Sequence, residues 1–116
     1  MAGRAALLVA KLHKLNERQG NQGRLNDKDA LDIYRLLQSM SGEDLADGLI
    51  VLCRDERSAH VARAAISLIR DLFSTADFVG SVLAARAAAP LEDPDTISQS
   101  CAFLTSDLLT AIEPRL

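Results

Sequence analysis

The sequence predicts an all-α fold, a compact bundle of five to six short helices, on three observations. Apolar residues make up 48% of the 116 residues and are mostly Ala and Leu, with three Phe, one Tyr and no Trp. Ala and Leu lose little rotamer freedom in a helix. Apolar positions recur at spacings of three and four, and the alternating β-branched and aromatic runs of strands are absent. The breaks between these stretches carry residues that start helices, such as Ser41 and the Asp93-Pro94 pair. A chain of this length fits one domain, spanning 1–116.

The first helix is expected over 4–18. On a wheel of ~100° per residue, Ala5, Leu8, Val9, Leu12 and Leu15 form one stripe, and Lys11, Lys14 and Arg18 lie together beside it. The polar stretch 19–25, with Gly20 and Gly23, breaks the pattern. Asn26 is suited to cap a second helix over 27–39, with Asp27 and Asp29 in a first turn where the helix dipole favours carboxylates. That helix is expected to bury Ala30, Ile33, Tyr34, Leu36, Leu37 and Met40.

Ser41 restarts the chain as an N-cap, with Asp44 near the position of a capping-box acid. It opens a third helix over 43–53 that presents Leu45, Leu49, Ile50, Leu52 and Cys53. After a charged break at 54–57, a fourth helix over 59–73 shows Val61, Ala65, Leu68, Ile69 and Leu72 at helical spacing. Ser74 or Thr75 is expected to cap the fifth, 76–88, which carries Phe78, Val79, Val82 and Leu83. Ala89-Pro90-Leu91-Glu92 is the clearest linker. Asp93 as N-cap and Pro94 at the first helical position then begin the last helix, 94–112, through Ile97, Cys101, Leu104, Leu108 and Leu109.

The formal net charge is −3, from 13 basic and 16 acidic residues, which argues against a dedicated nucleic-acid binder. The basic residues are uneven, with Arg4, Lys11, Lys14, Arg18, Arg24 and Lys28 crowding the first quarter. A solvated charged face explains that cluster better than a phosphate contact does. No apolar run reaches the roughly 18 residues that would span a bilayer, and Lys11 interrupts AALLVA before it can serve as a signal-peptide core. Cys53 and Cys101 stand alone among apolar residues and read most simply as buried, reduced thiols of a cytoplasmic protein; a disulfide between them stays open, though nothing requires it. His13 and His60 are isolated, without partners at metal-ligand spacing, and His13 is expected at the surface.

Asp29 is the least expected residue on its helix. Placed at 0°, it falls between Leu36 at ~340° and Ile33 at ~40°, inside the apolar arc, with Asp32 on the arc's edge at ~300°. A carboxylate facing a core needs a cation, a metal or hydrogen-bond donors. Lys11 is the obvious partner if the first two helices pack antiparallel. Two readings remain open. In one, Asp29 and Asp32 are helix-start carboxylates near the dipole, with Asp32 also paired to Lys28 at i−4. In the other, Lys11, Asp29 and Asp32 form a polar cluster facing a ligand or a second domain.

VAKLHKLNER followed by DKDALDIYRLL resembles the latter part of AbiEii-type nucleotidyltransferase-like proteins, a group that includes toxins of bacterial toxin–antitoxin pairs. Those proteins carry a KL-x-AL-x-R helix followed by an RD-x-x-DLY-x-L helix. The resemblance covers residues 7–37. It sets Lys11 on the family's lysine, Arg18 on the basic residue near the end of that helix, and Lys28 on the basic residue before the acid. Asp29 and Asp32 match the two aspartates, and Tyr34 and Leu37 the apolar positions after them. The resemblance implies that Lys11, Asp29 and Asp32 support catalysis, and that Lys11, Arg18 and Lys28 approach the nucleotide.

The same resemblance implies an N-terminal sheet domain with a Gly-Gly/Ser turn for the triphosphate and a DxD-type acidic pair for Mg²⁺. Neither is expected in this chain. DKD at 27–29 lies at a helix start, and Gly20 to Gly23 follows no strand and precedes no GK[ST]. The expected function is therefore the helical C-terminal module of an AbiEii-like nucleotidyltransferase, inactive alone. Mg²⁺ and a nucleoside triphosphate would be bound only with an N-terminal nucleotidyltransferase domain or protein partner to complete the site. The alternative is a stand-alone, non-enzymatic helical interaction or regulatory protein. A weaker third is a nucleic-acid-contacting accessory module using the basic face of the first helix. No membrane partner is expected.

Overall fold

The computed structural model describes residues 3–17 and 24–115. Among them the chain forms six α-helices and no strand: α1 (Gly3–Glu17), α2 (Arg24–Ser39), α3 (Gly42–Arg54), α4 (Ala59–Phe73), α5 (Val79–Ala88) and α6 (Pro94–Ile112). A short 3₁₀ turn, Glu113–Arg115, follows. The all-α bundle that composition and periodicity predict is the fold observed.

Two of the helix starts follow from side-chain caps legible in the sequence. The Asp44 N–H donates to Ser41 Oγ at 3.1 Å at the start of α3, and the Thr96 N–H donates to Asp93 Oδ2 at 3.1 Å at the start of α6. Two others differ from expectation. α2 begins at Arg24, so Asn26 lies within its first turn instead of capping it. α5 begins at Val79, because Ser74 closes α4 and residues 75–78 form a turn in which the Phe78 N–H donates to the Thr75 carbonyl at 3.2 Å. The Ser74 hydroxyl donates back to the Arg70 carbonyl, as a helix-ending serine does.

The helices share one hydrophobic core, in which Leu8, Leu12, Leu15, Ile33, Leu49 and Phe73 are among the fully buried side chains. The Cα radius of gyration, 13.3 Å, equals the about 13 Å of a compact chain this long. α1 buries the whole predicted stripe, Ala5, Leu8, Val9, Leu12 and Leu15. α2 buries Ala30, Ile33, Tyr34 and Leu37, with Leu36 and Met40 packed at the margin.

α4 and α5 correct the sequence reading. On α4 the core face is Ala62, Ala65, Ile66, Ile69, Leu72 and Phe73, so Val61 points to solvent and Leu68 lies at the margin. On α5 the buried face is Gly80, Ser81, Ala84, Ala85 and Ala88, while Phe78, Val79 and Val82 are exposed. Small residues let the α5 backbone come close to α2 and α6, its main neighbours. A Cβ on Gly80 would sit 2.7 Å from the Leu72 carbonyl oxygen and 2.6 Å from Cε2 of Phe73. The bulk needed to fill this space comes from Phe73.

His13 is half-buried, and its Nε2–H donates to the Val61 carbonyl at 3.0 Å, tying α1 to α4. It lies at the edge of the surface, as expected, and serves there as an inter-helix tie. Cys53 and Cys101 are free and buried. Among the described residues, no helix is long and apolar enough to cross a membrane.

Candidate functional site

The direction of α1 against α2 follows from two polar ties. Arg4 Nη1 donates to the Ser39 carbonyl at 3.0 Å, and Lys11 Nζ donates to Asp32 Oδ2 at 3.0 Å. Advancing from residue 4 to 11 along α1 therefore retreats from 39 to 32 along α2, so the two helices are antiparallel. This is the packing that brings Lys11 to the acidic helix. Of the two aspartates it could meet, Lys11 pairs with Asp32.

The pair is half open to water, with side-chain exposures of 25% for Lys11 and 35% for Asp32. It lies on the wall of a surface groove of about 340 Å³, lined by Arg4, Leu7, Lys11, Asp32, Arg35 and Leu36. Arg35 is fixed in turn by a bridge to Glu92 in the α5–α6 connection and by a 3.1 Å bond to Gln38. Glu92 holds the Arg35 guanidinium still further above its ordinary value.

Asp29 sits one turn before Asp32 and is only 4% exposed, as its place inside the apolar arc predicted. It is engaged in a polar interaction, so no bare charge is stranded in the core. Lys28 is exposed and lies elsewhere, on a separate groove with Asp27, Leu31 and Arg86. It forms no ion pair with Asp32, whose partner is Lys11. The i−4 pairing considered for Asp32 is therefore not the one adopted. Arg18 lies outside the described residues.

Whether these residues fit a Mg²⁺ ion can be judged from Asp27 and Asp29. The Asp27 carboxylate accepts two bonds from Arg86, at 2.7 and 2.6 Å, whereas Asp29 turns inward. Residues two apart on a helix do not face each other, so DKD does not converge on a metal. Among the described residues no group of three or more His, Cys, Asp or Glu could hold a metal ion. The described residues do not fit the metal that the resemblance implies.

No family model, no curated protein and no solved structure matches the chain.

Three groove residues escaped the sequence reading: Leu7, Arg35 and, as a site residue, Arg4. The signal was available. Positions 4, 7 and 11 of α1 lie along one face, as do 32, 35, 36 and 39 of α2. A second, larger groove of about 590 Å³ runs beside Tyr34, Gln38, Gln99, Ser100 and Phe103. There Gln38 Nε2 donates to the Tyr34 hydroxyl at 2.9 Å. Nothing in the motif pattern pointed to it, because Phe103 stands 71% exposed and outside the α6 core stripe.

Proposed function

We propose that the chain is a helical module of the AbiEii nucleotidyltransferase-like kind, working beside a catalytic sheet domain on the same or another polypeptide. The observation that carries this reading is the 3.0 Å Lys11–Asp32 pair across antiparallel α1 and α2, at the edge of an open groove. The resemblance needs a lysine on one helix set against the acids of the next, and this pairing supports it. Lys11 keeps its ammonium oriented and reachable, with two of three N–H donors left after Asp32. In the completed enzyme it would orient or neutralise a phosphate, and Asp32 would hold it in place. The sheet domain would bring the glycine turn, the acidic pair and with them Mg²⁺. A cytoplasmic bacterial setting, in a toxin–antitoxin pair or a descendant of one, belongs to the same proposal and accords with two free, buried thiols.

The test is transfer of label from a nucleoside triphosphate to RNA or protein. The 116-residue chain alone is expected to transfer none. Co-produced with a sheet domain bearing a Gly-Gly/Ser turn and DxD, it is expected to complete the activity. Transfer by the isolated chain, or no gain from any such domain, would contradict the proposal.

A second reading, a non-enzymatic interaction protein, draws on the exposed Phe103, Val79 and Val82. Single exposed apolar residues are ordinary on protein surfaces, so this reading ranks below the first.

A further inference from the structure

The α1–α2 groove joins two features that a merely solvated charged face does not need. Leu7 stands 47% exposed in it, with the partly buried Leu36 alongside. Three cations, Arg4, Lys11 and Arg35, line it; Lys11 is paired with Asp32 and Arg35 with Glu92, which leaves one positive charge in excess, on Arg4. Each cation is oriented by an internal partner, Arg35 by Gln38 and by both carboxylate oxygens of Glu92, and each keeps at least one N–H donor. Arg4 is held by the neutral carbonyl of Ser39, so among the described residues its charge faces no carboxylate. In a chain of net charge −3, this groove locally inverts the sign.

We infer that the groove is a docking surface for an acidic, amphipathic segment of a protein partner. An apolar side chain of that segment covers Leu7 and Leu36, and its carboxylates meet Arg4 and the outer edge of Arg35, leaving Lys11 to the phosphate. This rests on the reading above, that the module works beside another protein domain, and it names the chemistry of the contact. Nucleic acid suits the groove less well, because phosphates gain nothing from exposed leucine and no aromatic ring lines the groove to stack a base. The other exposed apolar residues offer no such guide. Along α5 the cation Arg86 is paired with Asp27 and has beside it no counterpart of Arg4, and the groove beside Phe103 is lined by uncharged side chains.

The experiment titrates the ¹⁵N-labelled chain with a synthetic helical peptide of roughly 15 residues, about four turns, whose leucine stripe is flanked by glutamates. The expected result is saturable amide shifts centred on Leu7, Lys11 and Leu36. Arg4→Glu, Leu7→Asp, or glutamine for glutamate in the peptide should each weaken binding about fivefold, the scale of one or two solvent-exposed pairs. Val79→Asp on the outer face of α5 should leave it unchanged. The variant sites are exposed, and urea midpoints check that each variant folds. Absence of shifts in the groove, equal binding of the glutamine peptide, shifts centred on Val79 or Phe103, or tighter binding of a single-stranded oligonucleotide would each overturn the inference. Peptide binding and label transfer are separate readouts, so failure of one is distinguishable from failure of the other.

Discussion

At the scale of single residues, burial divides the reactive side chains into inert and available ones. Cys101 is fully buried, and its thiol is pushed up to about 12 by that burial, with a hydrogen bond to Ser81 pulling the other way. Its ordinary value is 9.0. Between the two, the unfolded chain gives up the proton while the folded chain keeps it, so stability must fall as pH rises. The contribution is fully present below the unfolded value and is lost on the way to the folded one. Burial shifts Cys53 in the same direction. Urea midpoints taken at about pH 8 and pH 10 should therefore drop more steeply for the native chain than for Cys101→Ala. Parallel drops would show that Cys101 ionises as easily folded as unfolded. Lys11 lies at the other extreme, half open to water and pointed at a groove.

At the scale of elements, α5 decides how closely the bundle packs. Its inner face is built from Gly80, Ser81, Ala84, Ala85 and Ala88, against which the Phe73 ring and the Leu72 carbonyl lie within van der Waals distance of the Gly80 position. Gly80→Ala should gain helix propensity of about 1 kcal/mol but lose more to the clash with a carbonyl that cannot swing away. A net loss of about 1–2 kcal/mol is expected from overpacking of this kind, read as a lowered urea midpoint with an unchanged slope. A stabilised variant would show that α5 can slide outward at no cost.

The same helix shows where a sequence stops being legible. On α1 the apolar stripe has a charged opposite side, so the core face could be read directly. On α5 both sides are apolar, one large and one small, and hydropathy favours the large side. Packing takes the small one, because Phe73 and its neighbours already fill the space. The antiparallel α1–α2 pair and the burial of Asp29 were legible from wheel positions and the polar break between them. The choice of Asp32 over Asp29 as the partner of Lys11 was not, since it depends on how deep each carboxylate lies. Arg35 and Glu92, 57 residues apart, could meet only once the α5–α6 connection had been placed.

At the scale of the whole molecule, the Lys11–Asp32 pair can be a structural tie or one edge of a completed active site. Lys11→Met separates these roles, since it removes the charge and keeps much of the apolar stem. A partly exposed ion pair contributes no more than about 1 kcal/mol to folding. An oriented cation at a transferring phosphate is worth far more to the reaction, on the order of a hundredfold in rate. The decisive measurement is therefore the urea midpoint of Lys11→Met alongside its label transfer in the presence of a DxD-bearing sheet domain. The expected result is a stability loss within about 1 kcal/mol and transfer reduced about a hundredfold or more. A variant that loses more stability than this yet transfers label at the native rate would contradict the proposal and leave the pair a tie between α1 and α2.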